Sequence, residues 1–193
     1  MQTQLVNKVI TKEEFLQQKS QYYPLIQSGV VFVYPTDTIH GIGCNALDQE
    51  AVKKIRELKG RAETPFSVIA PSMSWIEENL EVPAQAQPWL KKLPGPYTLI
   101  LKKQKQCVAP NVSTTTLGVR IPDYWMKDVA AELGIPIVTT SVNKTGMKFM
   151  TSIENMDETI KEAVDFIIDD GEKSTRPSQI IFLDKEQVEV KTR

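Results

Sequence analysis

The chain of 193 residues lacks the segments that would carry it into or across a membrane. No stretch approaches the roughly 18 consecutive apolar residues of a membrane helix, and residues 1–15 have no apolar run of the signal-peptide kind. Net charge is also nearly absent: 23 basic side chains face 24 acidic ones, so nucleic-acid binding would need a local basic patch. With 41% hydrophobic residues, the composition is that of a folded protein. We therefore expect a globular, cytoplasmic protein with no membrane contact.

Cysteine and histidine are too scarce for several kinds of site. Cys44 and Cys107 are far apart in sequence and form no CxxC pair, so neither a zinc ribbon nor a disulfide framework is expected. His40 is the one histidine. It excludes a multi-histidine metal site, and any serine or cysteine triad would depend on it alone. Acyl transfer by a triad is therefore not favoured, and we predict no metal ligands in the protein itself.

Apolar β-rich runs alternate with amphipathic helical segments along the chain. Residues 30–34 form a continuous apolar run typical of a strand buried on both faces. Further strands are predicted at residues 66–70, 97–101, 118–121, 135–140, 166–168, 180–183 and 188–191. No repeat, low-complexity tract or shift in composition interrupts the alternation. We therefore predict one α/β domain, residues 1–193, with a large mixed sheet.

Helix starts are indicated by capping patterns. Thr11 with Glu14, and Ser74 with Glu77, have the spacing of a capping box. Asp123 is a candidate N-cap for a helix that runs to about residue 134. Helices are predicted at residues 12–18, in a short segment that ends by 29, at 51–58, from 74, at 85–92, at 123–134 and at 158–164.

A first polar cluster, YPTDTIHGIG at residues 34–43, follows the buried strand. Ligands of open α/β sheets bind beyond such strand ends, and the two glycines would let backbone N–H groups approach a ligand. The segment does not match the phosphate loop GxxxxGK[ST]. A polar turn with an Asx cap is an equally good interpretation on spacing alone.

Two further polar clusters follow later elements. Lys59-Gly60-Arg61 pairs a point charge with a bidentate fork, which suits phosphate or carboxylate, although cations that complement a helix C-terminus give the same pattern. Residues 139–146 place hydroxyl and amide groups after a strand, or form an ordinary turn. Ser141 is better interpreted there as a hydrogen-bond donor than as a nucleophile. Arg120 would be directed at the same sheet edge if the strands ran parallel.

In combination and in order, these segments resemble the YrdC-like threonylcarbamoyl-AMP synthases. The matching segments, between about residues 30 and 183, are YPTDTIHGIG, KGR, LPGPYTLIL, LGVRIP, IVTTSVNKTG and RPSQIIFL. The resemblance implies a twisted mixed sheet flanked by helices around a concave basic cavity. It implies a nucleotidyltransferase that condenses L-threonine, bicarbonate and ATP, with Mg²⁺, to threonylcarbamoyl-AMP and pyrophosphate. Downstream t6A transferase machinery would use this product at position 37 of tRNA, and some members bind double-stranded RNA.

The resemblance also assigns residues. Its K-x-R and S-x-N motifs imply catalytic and nucleotide-binding roles for Lys59, Arg61, Ser141 and Asn143. Nucleotide contacts extend by similarity to Thr116 and to a basic residue near the C-terminus, Arg193 or Lys191. The positions implied for threonine binding are Thr36, Arg120, Thr139 and Ser178.

These assignments agree with what the reaction demands. Charge builds on pyrophosphate as it leaves, and Lys59 and Arg61 would supply fixed cations. Arg120 can hold a carboxylate bidentately. Magnesium needs few protein ligands when phosphates supply its oxygens, with Asp37 as an outer-shell candidate. We expect His40 to be a loop residue rather than a catalytic base.

The sequence also departs from the family pattern. Three residues, Ala62–Thr64, separate Arg61 from Pro65, one fewer than is usual, and a customary lysine is missing. Phe149 replaces a small polar residue of the nucleotide loop. Two alternatives remain open: a YciO-type paralogue that binds or hydrolyses an adenylate, and an RNA-binding module that uses Lys53, Lys54 and Arg56. Longer members carry a second domain, which is not expected here because the chain stops at Arg193.

Overall fold

The computed structural model describes residues 8–61 and 63–192. The helices are α1 (Lys12–Gln17), α2 (Lys19–Gln27), α3 (Gln49–Lys59), α4 (Met73–Asn79), α5 (Gln87–Leu90), α6 (Met126–Leu133) and α7 (Glu158–Ala163). The strands are β1 (Val9–Thr11), β2 (Phe32–Tyr34), β3 (Gly41–Gly43), β4 (Ser67–Ile69), β5 (Tyr97–Lys102), β6 (Thr116–Arg120), β7 (Ile137–Ser141), β8 (Phe166–Asp169), β9 (Gln179–Phe182) and β10 (Glu189–Lys191). No helix in the described ranges is long and apolar enough to span a membrane.

In the part of the chain that the structure describes, ten strands form one sheet in the order β1-β8-β2-β3-β7-β4-β6-β5-β9-β10. The pairs β1–β8, β2–β8, β4–β6 and β5–β9 are parallel, and the remaining neighbours are antiparallel. The predicted mixed α/β sheet is confirmed. Of its strands, β1 and β3 were not predicted from the sequence.

Strand β3 was missed because two of its three residues are glycines, which have low strand propensity. The structure shows why glycine stands there. A Cβ on Gly43 would lie 2.1 Å from the carbonyl oxygen of Val138 and 2.9 Å from the ring of Tyr34. The Tyr34 hydroxyl donates to that same carbonyl oxygen at 3.0 Å. Close packing of Tyr34 across β3, rather than local preference, therefore selects these glycines.

The two faces of the sheet carry different layers. Helices α3, α4, α5 and α7 pack on one face against an aliphatic core that includes Val68, Leu99 and Val119. On the other face, α1, α2 and α6 cover β1, β8 and β2 with an aromatic-rich cluster that includes Phe15 and Phe166. Further along this second face, β7, β4, β6, β5 and β9 border a cavity.

One predicted helix cap is confirmed and two are wrong. The reciprocal capping box of Thr11 and Glu14 begins α1. Helix α4 begins at Ser72, whose Oγ accepts from the N–H of Trp75, and the Ser74 hydroxyl bonds to Ser72 instead of capping the helix. Helix α6 follows Trp125 without a side-chain cap. Asp123 does not cap it, because its N–H is held by the carboxylate of Asp37.

Candidate functional site

The cavity has a volume of about 760 Å³ and a floor made of alternate residues on adjacent strands. Ser67 on β4 lies level with Gly118 on β6 and Thr139 on β7. Successive strand residues point to opposite faces, so these three share the cavity side. A Cβ on Gly118 would lie 2.4 Å from Ser67 Oγ. Small residues at the same level of three adjacent strands therefore make the room for a ligand. The sequence shows these small residues but not the register that brings them together.

The polar segments meet on this face and not at a common sheet edge. Strand β4 runs parallel to β6 and antiparallel to β7, so the ends of β6 and β7 point in opposite directions. Arg120 lies level with Ile137 at the start of β7, and Ser141 lies at the other end of that strand. The condition for a shared edge, parallel strands, is not met. The clusters are close only because the cavity extends across the strands.

All four residues assigned to threonine line this one cavity: Thr36, Arg120, Thr139 and Ser178. Each is at least nine-tenths buried. The Thr36 hydroxyl donates to the carbonyl oxygen of Ile39 at 2.7 Å and accepts from the N–H of Thr38, which shapes the turn after β2. Ser178 Oγ lies 2.8 Å from Thr98 Oγ1 on β5. The structure thus brings together residues from four distant parts of the chain.

Arg120 is a buried cation whose two terminal nitrogens are paired within the protein. Its Nη2 pairs with the carboxylate of Asp37, and its Nη1 donates to Thr38 Oγ1 at 3.3 Å. Nε is buried, and no partner for it lies among the described residues. Asp37 also accepts from the N–H of Asp123 at 3.0 Å. Asp37 therefore serves here as the counter-ion that orients Arg120, a role that the sequence did not indicate.

Arg61 lines the cavity beside Phe66. Its guanidinium lies 4.9 Å from the Phe66 ring and donates to the carbonyl oxygens of Thr64 and Pro65. Arg56 lies 4.6 Å from the same ring and donates to carbonyl oxygens of Arg61, Thr64 and Asn111. Arg56 therefore holds the chain around Arg61 in place. It is not a free member of the basic face on α3, whereas Lys53 and Lys54 are exposed.

Lys59 is buried, with only 2% of its surface exposed, and it is not among the residues that line the cavity. Its Nζ donates to the main-chain oxygens of Ser141 at 2.5 Å and Asn143 at 2.8 Å, and to Asn143 Oδ1 at 3.2 Å. Burial, with a smaller repulsion from Arg61, lowers the pKa of Lys59 to about 7.

The remaining nucleotide candidates are placed differently. Ser141 lines the cavity and donates to Asn143 Oδ1 at 2.5 Å, while Asn143 itself is not a lining residue. Thr116 and Phe149 also line the cavity. Lys191 is exposed on β10. Arg193 and Ala62 lie outside the described residues.

His40 lines the cavity but is 1% exposed, and neither ring nitrogen has a partner among the described residues. Burial lowers its pKa, and Lys173 lowers it further, so the imidazole is neutral at pH 7. No described group stands ready to orient it as a base, in contrast to the carboxylate of a catalytic triad.

Carboxylates are missing from the described cavity wall, where Arg61, Arg120 and Arg176 supply positive charge. Over residues 8–61 and 63–192, no three His, Cys, Asp or Glu side chains group closely enough to hold a metal ion. Hydroxyl groups and arginines suit anionic ligands. The donor set does not suit a protein-held magnesium ion, which prefers carboxylate oxygens.

Comparison with known proteins adds a family and several relatives. The family model Sua5_yciO_yrdC, described as telomere recombination, matches residues 24–192. The threonylcarbamoyl-AMP synthase of Pyrococcus abyssi is 37% identical over 76% of this chain and 45% of its own length. That of Bacillus subtilis is 32% identical over 80% and 46%. This chain thus spans about half of these two relatives, but 79% of a Methanocaldococcus jannaschii protein that is 35% identical.

Solved structures agree with this likeness. Pyrococcus abyssi Sua5 complexed with L-threonine superposes with a TM-score of 0.82 and 31% identity, over 96% of this chain and 56% of that one. Escherichia coli YciO gives a TM-score of 0.81 and 26% identity, over 92% of this chain and 89% of that one.

Proposed function

The chain belongs to the Sua5/YciO/YrdC family, and on that premise we propose that it is an L-threonylcarbamoyl-AMP synthase. It would condense L-threonine, bicarbonate and ATP to threonylcarbamoyl-AMP and pyrophosphate as a nucleotidyltransferase. One observation carries the proposal: the four residues assigned to threonine line a single cavity around the buried Arg120. Relatives named threonylcarbamoyl-AMP synthase and the threonine complex of Pyrococcus abyssi Sua5 support it.

At the amino-acid end, Arg120 would bind the threonine carboxylate. Its buried Nε, which has no partner among the described residues, is a donor that a carboxylate can satisfy, and Asp37 keeps the guanidinium from turning away. Thr139 and Ser178 offer hydroxyl groups for the substrate's own hydroxyl. A site that pairs with a hydroxyl rejects a substrate that lacks one, because its buried polar groups are then left unpaired.

At the nucleotide end, the protein would act by stabilising the negative charge that develops on the phosphates. The threonine amine and bicarbonate form a carbamate with loss of water. One carbamate oxygen then attacks the α-phosphorus while the bond to pyrophosphate breaks. Arg61 would stabilise the negative charge that develops, with Thr116 as a neutral donor from the wall. Ser141 would donate as well only by turning its O–H from Asn143 Oδ1 to a phosphate oxygen. ATP would enter as its magnesium complex, with the ion held by phosphate oxygens, because the described wall offers no carboxylate.

The product would then serve tRNA modification. Threonylcarbamoyl-AMP is a mixed anhydride, so a transferase must follow that delivers the threonylcarbamoyl group to tRNA as t6A at position 37. We place this protein in the cytoplasm with that machinery. Contact with tRNA or double-stranded RNA would have to use exposed cations such as Lys53 and Lys54.

A YciO-type activity is the second candidate, and a specific observation favours it. The chain covers 89% of Escherichia coli YciO at a TM-score of 0.81, and Phe149 puts an aromatic ring in the wall in place of a polar side chain. Such a protein would bind a nucleotide or hydrolyse an adenylate without a need for threonine.

One incubation separates the two candidates. The protein is mixed with MgATP and labelled bicarbonate, and each amino acid is added in turn. We expect label in an adenylate only with threonine, together with one pyrophosphate per product. Arg120→Ala, in which the proposed carboxylate ligand is removed, should make none. Nucleotide hydrolysis that is indifferent to threonine would instead support the YciO-type candidate.

A further inference from the structure

We propose that Lys59 is a positioning residue that shapes the loop of residues 141–147 and does not contact the nucleotide. The inference rests on the proposed function only in naming the reaction that this loop serves. It corrects the direct phosphate contact that the K-x-R pattern suggests for both cations.

The hydrogen bonds of the Lys59 amine leave no donor for a ligand. An ammonium group has three N–H bonds, and the structure gives it three oxygen acceptors in the described part of the chain: Ser141 O, Asn143 O and Asn143 Oδ1. The amine is buried and absent from the cavity wall. A phosphate could reach it only by displacing acceptors that are already in place.

The main chain of Lys59 binds the same loop. Its carbonyl oxygen accepts from the N–H of Thr145 at 3.0 Å and from the Thr145 hydroxyl at 2.9 Å. Carbonyl groups in the last turn of a helix lack partners within the helix. Gly60, with φ at 57°, ends α3 in a left-handed turn. One residue therefore ties α3 to the loop by five hydrogen bonds.

The loop held in this way begins at Ser141, which lines the cavity. Ser141 Oγ donates to Asn143 Oδ1, and Asn143 Nδ2 donates to the carbonyl oxygen of Met147 at 2.6 Å. Lys59 Nζ bonds to that same Oδ1. Lys59 thus fixes how Ser141 is presented to the cavity, and Arg61 remains the cation of this pair that lies on the wall.

The test is Lys59→Met, which keeps the length of the side chain but removes its donors. Lys54→Met, an exposed position on the same helix, is the matched control. In ligand-free protein, amide exchange of residues 143–147 should accelerate roughly tenfold or more in Lys59→Met, the scale expected for losing a buried hydrogen bond. The control should match wild type.

Steady-state kinetics provides the second measurement. We expect kcat to fall at least tenfold in Lys59→Met with KM for threonine within about twofold of wild type, because Thr36, Arg120 and Ser178 lie on other segments of the chain. Thr145→Val, which removes one bond to the Lys59 carbonyl, should shift exchange and kcat in the same direction by a smaller factor. If Lys59→Met does not fold, Thr145→Val still tests whether the contact with Lys59 holds the loop, and unchanged exchange and kcat in this variant would overturn the proposal.

Unchanged exchange in ligand-free Lys59→Met, together with weaker binding of ATP and of pyrophosphate, would overturn the proposal in favour of direct phosphate contact. The exchange measurement needs no substrate. If wild type made no threonylcarbamoyl-AMP, the proposed function would fail while the structural role of Lys59 was still decided.

Discussion

Neighbouring residues on the central strands point to opposite faces of the sheet, where one face forms the aliphatic core and the other borders the cavity. On β5, Leu99 is fully buried in the aliphatic core, and Thr98 lines the cavity. On β6, Leu117 and Val119 pack into the core while Gly118 leaves room for a ligand. Because the two sets alternate along one backbone, substitutions one residue apart should separate stability from activity.

Apart from the complete loss of product expected in Arg120→Ala, the largest effect is expected at Arg61, on the cavity side. Arg61→Ala should lower kcat/KM by ~10²–10³, the loss typical of one fixed transition-state donor, with little change in melting temperature. Arg61→Lys should recover only a small part of the rate, because it keeps the charge but loses the planar fork. Initial rates of pyrophosphate release measure both variants.

The competing interpretation of Arg61 is that it only complements the dipole at the C-terminus of α3. In that case, Arg61→Ala would cost only about 0.3–1 kcal/mol of stability, Arg61→Lys would cost less because it keeps the charge, and turnover would be near normal in both. Near-normal turnover in Arg61→Ala would show that Arg61 does not stabilise the charge that develops on the leaving pyrophosphate. Lys54→Ala, on the exposed side of α3, is the control for a change of net charge alone.

The adjacent pair on β5 tests the comparison directly. Leu99→Ala should cost about 2–5 kcal/mol of unfolding free energy through lost burial and a cavity, with kcat per folded molecule unchanged. Thr98→Val removes the hydroxyl that bonds to Ser178. It should raise KM for threonine roughly threefold to tenfold with little loss of stability.

Denaturant unfolding and steady-state kinetics on both variants complete this test. The comparison fails if Leu99→Ala raises KM for threonine as much as Thr98→Val does, or if both variants lose the same unfolding free energy. Stability and activity would then not be separated between the two faces of the sheet.

The comparison also explains how much the sequence could predict. Continuous apolar strands and the ordered motifs were enough for the mixed sheet and for most of the residues that meet around the cavity, although Lys59 and Asn143 do not line it. Ser74 was assigned as a cap because local spacing cannot show which of two neighbouring serines starts the helix. Asp123 was assigned because its contact with Asp37, far away in sequence, is not visible from local spacing. Arg56 was predicted as a cation of the exposed basic face and Lys59 as a phosphate ligand, because the sequence does not show that their acceptors are carbonyl oxygens of distant segments.

The pH dependence should distinguish Lys59 from the wall residues. With a pKa of about 7, Lys59 is mostly ammonium at pH 6 and mostly neutral at pH 8, where two N–H bonds must serve three acceptors. We expect kcat to fall by up to about tenfold over this range. Lys59→Met, already slow, should show no such fall.

Stability should change in the opposite direction over the alkaline range. The folded pKa of Lys59 lies below its unfolded value of 10.5, so between about 7 and 10.5 the unfolded chain holds more protons. The contribution of Lys59 to stability therefore rises with pH in this window. The difference in unfolding free energy between wild type and Lys59→Met, measured at pH 6 and pH 9, gives its sign.

The smallest effect is expected at His40, a residue of the cavity wall that the reaction does not use. His40→Asn should reduce the rate less than tenfold, because no described group orients the imidazole and its lowered pKa keeps it neutral. A catalytic base would contribute ~10²–10⁴. A loss above a hundredfold in a folded variant would make His40 that base.

His40→Phe sharpens this last case. Two buried nitrogens without partners cost stability, so the variant should be as stable as wild type at pH 7, or more so by about 1 kcal/mol. In wild type, the unfolded chain binds a proton near pH 6.5 before the folded one does, so this part of the stability is lost as pH falls below that value. The unfolding free energy of both proteins is therefore measured at pH 5 and pH 7. It should change less between these two pH values in His40→Phe than in wild type.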